Sequence, residues 1–309
     1  MAGRKGRRYR RSRRGNLGIL FVLLALCIFM CFRDRPSFQE AVTREVPWDA
    51  DGLEIHFIDV GQGDATLIKC GEHAMLIDAG DYTKGTTVQF YLKKQGVTKL
   101  DYVIGTHLDA DHIGGLDVVI TKFDCDVVMY PEYEKDTKSY FDLVDAMKDR
   151  NYQNTPPEVG KVYTLGEASF TVLAPVSESY EQENNYSIAI RLVYGDNSFL
   201  FLGDAEGESE KEMLQSGRKL KADVLKAAHH GSSSSLSEEF MQAVAPVYAV
   251  ISCGKDNDYG HPHEAVLNIL RRGGCWVFRT DEQGTVIACS DGREIAWSCE
   301  PTESGKKWR

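Results

Sequence analysis

The 309 residues have ordinary globular proportions, 42% apolar and 27% charged, so one large or two small domains can bury a sizeable core. Charge is divided unevenly: ten of the 36 Lys and Arg but one of the 46 Asp and Glu fall in residues 1–35, which leaves 26 against 45 beyond, a net charge of −19. That balance argues against gripping a polyanion by bulk field, so a phosphate-bearing substrate would need metal ions or local basic side chains.

Residues 1–15 form a basic tail expected to stay cytoplasmic, and 16–32 contain the uncharged run from Leu17 to Phe32, expected to be a transmembrane signal anchor. A helix over that run would rise about 24 Å, short for a bilayer core but workable with flanking residues. The basic flank predicts that everything beyond it lies on the extracytoplasmic side. Secretion after cleavage is the alternative, although no small-x-small cleavage site follows the apolar run. Residues 33–51, with Pro36 and Pro47, are expected to be a linker, 52–300 one domain, and 301–309 a tail. Six cysteines lie beyond the anchor without metal-knuckle spacing, and most are expected to be buried small hydrophobes.

The domain opens with expected strands at 54–60, 65–69 and 74–77, the first two separated by Gly61-Gln62-Gly63-Asp64, and the third ending in Asp78-Ala79-Gly80. A helix over 86–95, stopped by Gly96, precedes a buried strand at 100–104. The loop after it, Thr106 to Gly115, carries His107, Asp109, Asp111 and His112, four potential metal ligands within six residues, before a helix over 113–121. Two glycines, Gly114 and Gly115, follow where a helix start must approach the site closely. A strand at 127–130, an amphipathic helix over 137–150 and a hairpin at 162–165 and 169–173 complete the first half.

The second half repeats the theme. Strands at 187–194 and 198–202 end at Gly203-Asp204 ahead of a helix over 208–215; Asp204 is there either a metal ligand or a helix N-cap. A strand at 222–226 leads into His229-His230-Gly231-Ser232, and Ser235 with Glu238 suits a capping box for a helix through Val244. A strand at 247–253 opens into a loop holding His261 and His263, followed by a helix over 264–272 and three strands at 276–280, 285–289 and 294–297. Six of the eight histidines thus fall in loops that follow strands. His56 and His73 are expected to be ordinary structural residues. Asp78, at a strand end like His107, is either a carboxylate that orients a metal ligand or a turn cap.

Asp59 to Asp64, Leu76 to Gly80, Thr106 to Gly115, Asn184 to Ser187, Gly203-Asp204, Leu225 to Ser232 and His261 to His263 together resemble the metallo-β-lactamase superfamily, and more narrowly the hydrolase domain of ComEC-type competence proteins. The resemblance implies an αββα sandwich with the site along one edge of its two sheets. It implies that His107 and Asp109 serve one metal and Asp111 and His112 a second, that Asp204 bridges both, and that one of His229 and His230 completes the second site. His230 is favoured because glycine follows it. Asp109 stands where the superfamily commonly has histidine, and no histidine occurs between His112 and His229, so Asn185 or a water takes the position of a third imidazole and single-metal occupancy is open.

Two divalent ions against the three aspartates 109, 111 and 204 leave room for one hydroxide, the nucleophile of metal-assisted hydrolysis. The extra carboxylate shifts preference toward manganese relative to an all-imidazole site, with zinc remaining open. Asp111 is the ligand expected to matter most for catalysis, and His261 or His263 is expected to protonate the leaving oxygen or bind a phosphate oxygen. Lys226, Asn185 and Ser232 are candidate substrate contacts, with Lys226 alternatively reaching solvent; Asp64 joins Asp78 as a supporting carboxylate. The expected function is hydrolysis of a phosphodiester, DNA being one candidate, by a membrane-anchored enzyme. A cell-surface phosphodiester or small phosphoester is the rival substrate, and a non-catalytic metal-binding docking module the rival class.

Overall fold

The computed structural model describes residues 52–302. The expected basic tail, signal anchor and linker, and residues 303–309, lie outside the described residues. Among the described residues no helix is long and apolar enough to cross a membrane.

In chain order, β1 (Leu53–Phe57), β2 (Thr66–Cys70) and β3 (His73–Ile77) lead to α1 (Gly85–Lys94), β4 (Lys99–Ile104), α2 (Ala110–Ile113), α3 (Leu116–Lys122), β5 (Asp124–Met129) and α4 (Lys138–Asp149). The second half runs β6 (Val162–Leu165), β7 (Ala168–Ala174), β8 (Ala189–Tyr194), β9 (Asn197–Phe201), α5 (Gly207–Gln215), β10 (Val224–Lys226), α6 (Glu238–Val244), β11 (Tyr248–Ile251), α7 (Glu264–Arg272), β12 (Trp276–Arg279), α8 (Thr280–Gln283), β13 (Val286–Ser290) and β14 (Ile295–Trp297). Two mixed seven-stranded sheets result, ordered β14-β13-β1-β2-β3-β4-β5 and β12-β11-β10-β9-β8-β7-β6.

The apolar stripes of α1, α3 and α4, among them Val88, Leu92, Val119, Leu143 and Met147, cluster with Leu67, Leu76, Leu100 and Val103 of the first sheet. Met213, Phe240, Val244, Leu267 and Leu270 of α5, α6 and α7 cluster in the same way with Leu200, Leu225, Ala249 and Val277 of the second. Alternate strand residues face the other sheet: Phe57 stacks on Phe201 with ring centroids 6.3 Å apart. In each sheet the strands that meet in parallel, β3 with β4, and β9 with β10 and β11, finish side by side. Their loops therefore emerge at common edges.

Two details depart from expectation. The helix expected over 113–121 is broken into α2 and α3 at Gly114-Gly115. A side chain at Gly115 would stand 2.4 Å from the Ala79 carbonyl oxygen and 2.8 Å from Gly85 Cα, so glycine lets the loop after β3 and the start of α1 press on the metal-loop backbone. The cap of α6 is Ser237, whose side chain accepts from Phe240 N, while Ser235 Oγ instead donates to the Ala228 and Ser232 carbonyls. His56 and His73 bind one carboxylate each, Glu54 at 3.1 Å and Asp101 at 2.8 Å. The six described cysteines are free thiols, four of them buried.

Candidate metal centre

Asp78 leaves β3 in a left-handed conformation, φ 58°, its N–H donating to the Ile104 carbonyl at the end of β4. That turns the carboxylate into the metal loop. Asp78 Oδ1 accepts from Thr106 N at 2.8 Å; Oδ2 accepts from Thr106 Oγ1 and from His112 Nδ1, both at 2.8 Å. Because the Thr106 proton goes to Asp78, its oxygen is an acceptor for His107 Nδ1 at 3.2 Å. One buried carboxylate thus holds two imidazoles, one directly and one through a hydroxyl.

From the second sheet, Asp204 follows β9 with its N–H donating to Ser187 Oγ at 3.0 Å. His229 and His230 follow β10 with φ of 48° and 54°, two consecutive left-handed residues ahead of Gly231 at 82°. Each such residue costs about 1–2 kcal/mol, a strain that persists only where the surroundings fix it. It aims both rings toward Asp204. His230 Nδ1 donates to the Ser252 carbonyl at 3.0 Å, and His229 Nδ1 lies 3.1 Å from Glu206 Oε1.

All four imidazoles are therefore held at Nδ1 by an acceptor, so that in each neutral ring Nε2 carries a lone pair directed inward. His112 Nε2 and His230 Nε2 face one another at 3.3 Å, with Asp111 Oδ2 3.2 Å from the latter and Asp204 Oδ1 3.2 Å from the former. Opposite them, His107 Nε2 lies 3.8 Å from Asp109 Oδ1 and 3.9 Å from Asp204 Oδ2, and His229 Nε2 lies 3.8 Å from Asp204 Oδ2. His107 Nε2 and Asp204 Oδ1 are buried without a hydrogen-bond partner. Converging lone pairs and anionic oxygens repel unless a cation sits among them, so this donor set fits one or two divalent ions. The half made by Asp111, His112, His230 and Asp204 is the tighter, and the half made by His107, Asp109 and His229 the looser.

Asp64, His112, Asp204 and His230 also bring one ligand atom each within 4.8 Å of one another. Asp64 Oδ1, however, approaches His230 from its Nδ1 edge, at 3.5 Å. A ring cannot offer both nitrogens to one ion, so Asp111 and Asp204 better define the face where His230 Nε2 points.

The electrostatics carry the same demand for positive charge. Burial disfavours charged His112 and His230, yet Asp204 and the other carboxylates outweigh it, raising His112 well above its usual value and pushing His230 up to about 10. Asp111 feels burial upward, but His230 and His112 bring it down to about 2, and Asp204 is held well below the carboxylate range in spite of burial. His107 is pushed down by burial and by His112.

Several candidate residues take other positions than expected. Lys226 neither reaches solvent nor faces an open site: it is buried and donates to Asp64 Oδ2 at 2.7 Å and to the Ala227 carbonyl at 3.0 Å. Asn185 is not placed as a third ligand or a substrate contact, because its Oδ1 accepts from Glu206 N and Ser209 N at the start of α5. Ser232 Oγ is taken by Ser234 Oγ at 3.0 Å within its own loop. His263 has both nitrogens engaged: Nδ1 accepts from Ser233 N at 2.9 Å and Nε2 donates to the Tyr259 carbonyl at 3.2 Å, which leaves no proton for a leaving group. His261 is brought beside His229 and His230, with ring centroids at 5.6 and 6.1 Å. Burial and the neighbouring His230, His229 and His263 push it down to about 4, so near neutral pH it offers a hydrogen bond and no net charge.

Sequence reasoning passed over Thr106, Glu206 and Ser252, the groups that set three of the four tautomers. Thr106 was adjacent to His107 and Glu206 stood two residues past Asp204, but only the fold reveals which ring nitrogen each one faces. The Ser252 contribution is a backbone carbonyl and leaves no signal in the residue types.

Histidines and aspartates converging from the strand ends of two mixed sheets define a metallo-hydrolase. The chain belongs to the metallo-β-lactamase superfamily, whose model matches residues 58–255. It is 32% identical over 255 residues to ComE operon protein 3 of Bacillus subtilis, covering 75% of this chain and 32% of the relative. It is 30% identical over 244 residues to Recombination protein 2 of Haemophilus influenzae, covering 77% and 28%. The chain spans about a third of the length of these relatives. Among solved structures, Igni18, a metallo hydrolase from the archaeon Ignicoccus hospitalis, aligns with a TM-score of 0.49 at 15% identity over 76% of this chain and 98% of that one.

Proposed function

We propose that this protein hydrolyses phosphodiester bonds with one or two divalent ions, zinc or manganese, held in this centre, and that single-stranded DNA is the substrate to test first. The observation that carries the reading is the set of four imidazoles locked with Nε2 inward around Asp204. A bound divalent ion would supply Lewis-acid activation of water and of the phosphoryl oxygen. His107, His112, His229 and His230 hold the ions, and Asp78, Glu206 and the Ser252 carbonyl keep those rings in the ligating tautomer. Asp109 and Asp111, whose side chains are 35% and 34% exposed, form the open side from which substrate approaches. His261, neutral and beside His229, is placed to donate a hydrogen bond to a phosphate oxygen. Relatives named for competence and recombination favour DNA among phosphodiesters. The net charge of −19 beyond residue 35 favours a small or cell-surface phosphodiester instead.

Purified protein loaded with Mn²⁺ or Zn²⁺ is expected to cleave single-stranded DNA, and Asp111→Ala to slow it by at least about a hundred-fold, since loss of a ligand exceeds the 10–100-fold typical of supporting groups. Hydrolysis of a model phosphodiester with no cleavage of DNA would replace DNA by the smaller substrate. Metal-loaded protein inert toward every phosphodiester would sink the enzymatic reading and leave the docking module. The same reading places the domain outside the membrane behind the uncharged run at 17–32; protease added to intact cells should digest it, and protection would overturn that placement.

A further inference from the structure

The looser half of the centre has an unusual neighbour. Lys135, in the segment between β5 and α4, donates to Asp109 Oδ1 at 2.5 Å and also to Glu183 Oε2. Asp109 Oδ1 is the oxygen that faces His107 Nε2 at 3.8 Å, so ammonium and incoming ion would share one ligand atom. Lys135 is anchored from both ends. Tyr133, two residues before it, accepts from Leu108 N at 2.9 Å and stacks on Tyr186 with centroids 4.5 Å apart. Glu183 and Tyr186 belong to one 3-10 turn, Glu183–Tyr186, whose Asn184 Nδ2 reaches Glu206 Oε1, the partner of His229. The Lys135 side chain is only 20% exposed, which limits its freedom to swing away into solvent.

We infer that Lys135 is a tethered counter-cation for Asp109 that competes with the ion in the His107/Asp109/His229 half, so that the centre takes up one divalent ion tightly and a second weakly. The inference rests on the metal-binding reading proposed above. Among the described residues no lysine or arginine lies on the oxygens of the tighter half: Asp111 Oδ2 and Asp204 Oδ1 face imidazole Nε2 atoms, which release a proton and become ligands when an ion enters. An ion entering the looser half would have to share Asp109 Oδ1 with a tethered ammonium, and the two positive charges would repel across a partly buried site where screening by solvent is incomplete. A single lysine thereby sets unequal occupancy in two halves that Asp204 joins.

The experiment is titration of chelator-stripped, refolded-state-checked protein with Zn²⁺ and with Mn²⁺ by calorimetry, with bound metal counted after desalting by mass spectrometry. Wild type should retain one equivalent and bind the second at least roughly ten-fold more weakly. Lys135→Met should tighten the second event by about ten-fold or more and leave the first unchanged, whereas Lys135→Arg, which keeps the charge, should behave as wild type. Circular dichroism and the unchanged first event establish that each variant is folded. Two equal events in wild type, or a Lys135→Met second event no tighter than wild type's, would overturn the inference while leaving the metal centre standing. Loss of the second event in Lys135→Met would overturn it too, by making Lys135 a support of that half. Failure of wild type to retain any metal would instead remove the metal-binding reading itself.

Discussion

Replacing Asp78 by Asn tests the inward-facing imidazoles through an atom that touches no ion. The carboxylate accepts three hydrogen bonds of 2.8 Å, from Thr106 N, Thr106 Oγ1 and His112 Nδ1. Asparagine has the same outline and tolerates φ of 58°, so the backbone need not respond. Its carbonyl can keep Thr106 N, but its NH₂ then meets two donors. Thr106 escapes by rotating its hydroxyl, which turns a proton toward His107 Nδ1; His112 escapes only by moving its own proton to Nε2, where it points at His230 Nε2 3.3 Å away. Loss of one supporting partner lowers metal affinity about 10–100-fold, or about 1.4–2.7 kcal/mol, and with two rings disturbed the upper end is expected. Calorimetric titration with Zn²⁺ reads the affinity, and long-range ¹H–¹⁵N spectra of the histidine side chains read the tautomer. Unchanged affinity with His112 still protonated at Nδ1 would refute the account of how the centre is held.

Two other expectations follow from the buried charges. In chelated protein His230 is pushed up to about 10, so its charged form contributes stability fully below its unfolded value of 6.5 and loses it as pH rises toward about 10. The thermal midpoint of chelated protein should fall across that window while the metal-loaded form, whose ion supplies the positive charge, stays flat; a flat chelated profile would contradict this. Lys226→Met leaves Asp64 buried without its counter-charge and should destabilise the metal-free protein by about 3–5 kcal/mol in urea unfolding, with much of the loss regained in Lys226→Met/Asp64→Leu. A loss below about 1 kcal/mol would mean that the pair is dispensable.

How much of this was legible in the residues depends on the distance over which each feature is encoded. The strands and most helices follow from local periodicity, and the loop with His107, Asp109, Asp111 and His112 announces itself because its four groups are adjacent. Convergence of that loop with Asp204 and the 229/230 pair rested on family resemblance, since parallel pairing of β9 with β10 has no local signature. Lys226 shows the limit: a lysine in an apolar strand reads equally as solvent-reaching or substrate-gripping, and only the arrival of Asp64, 162 residues away, makes it an internal counter-charge. Asn185 failed for a related reason, because the unsatisfied N–H groups it caps belong to a helix start 21 residues further on. The break at Gly114-Gly115 was missed because glycine is compatible with a continuous helix, and the close approach of the Ala79 carbonyl and Gly85 that excludes a side chain at Gly115 comes from distant parts of the chain.

The candidate ligands hang from different sheets: 107, 109, 111 and 112 follow β4 in the first, and 204, 229 and 230 follow β9 and β10 in the second. Neither sheet alone carries a closed coordination shell. An ion seated here would act as a rivet across the seam between the two halves of the domain, and its capture would certify that both had folded and docked. Partly folded chains would show only open, low-affinity fragments of the site, which guards against a premature grip on metal by a chain not yet able to use it.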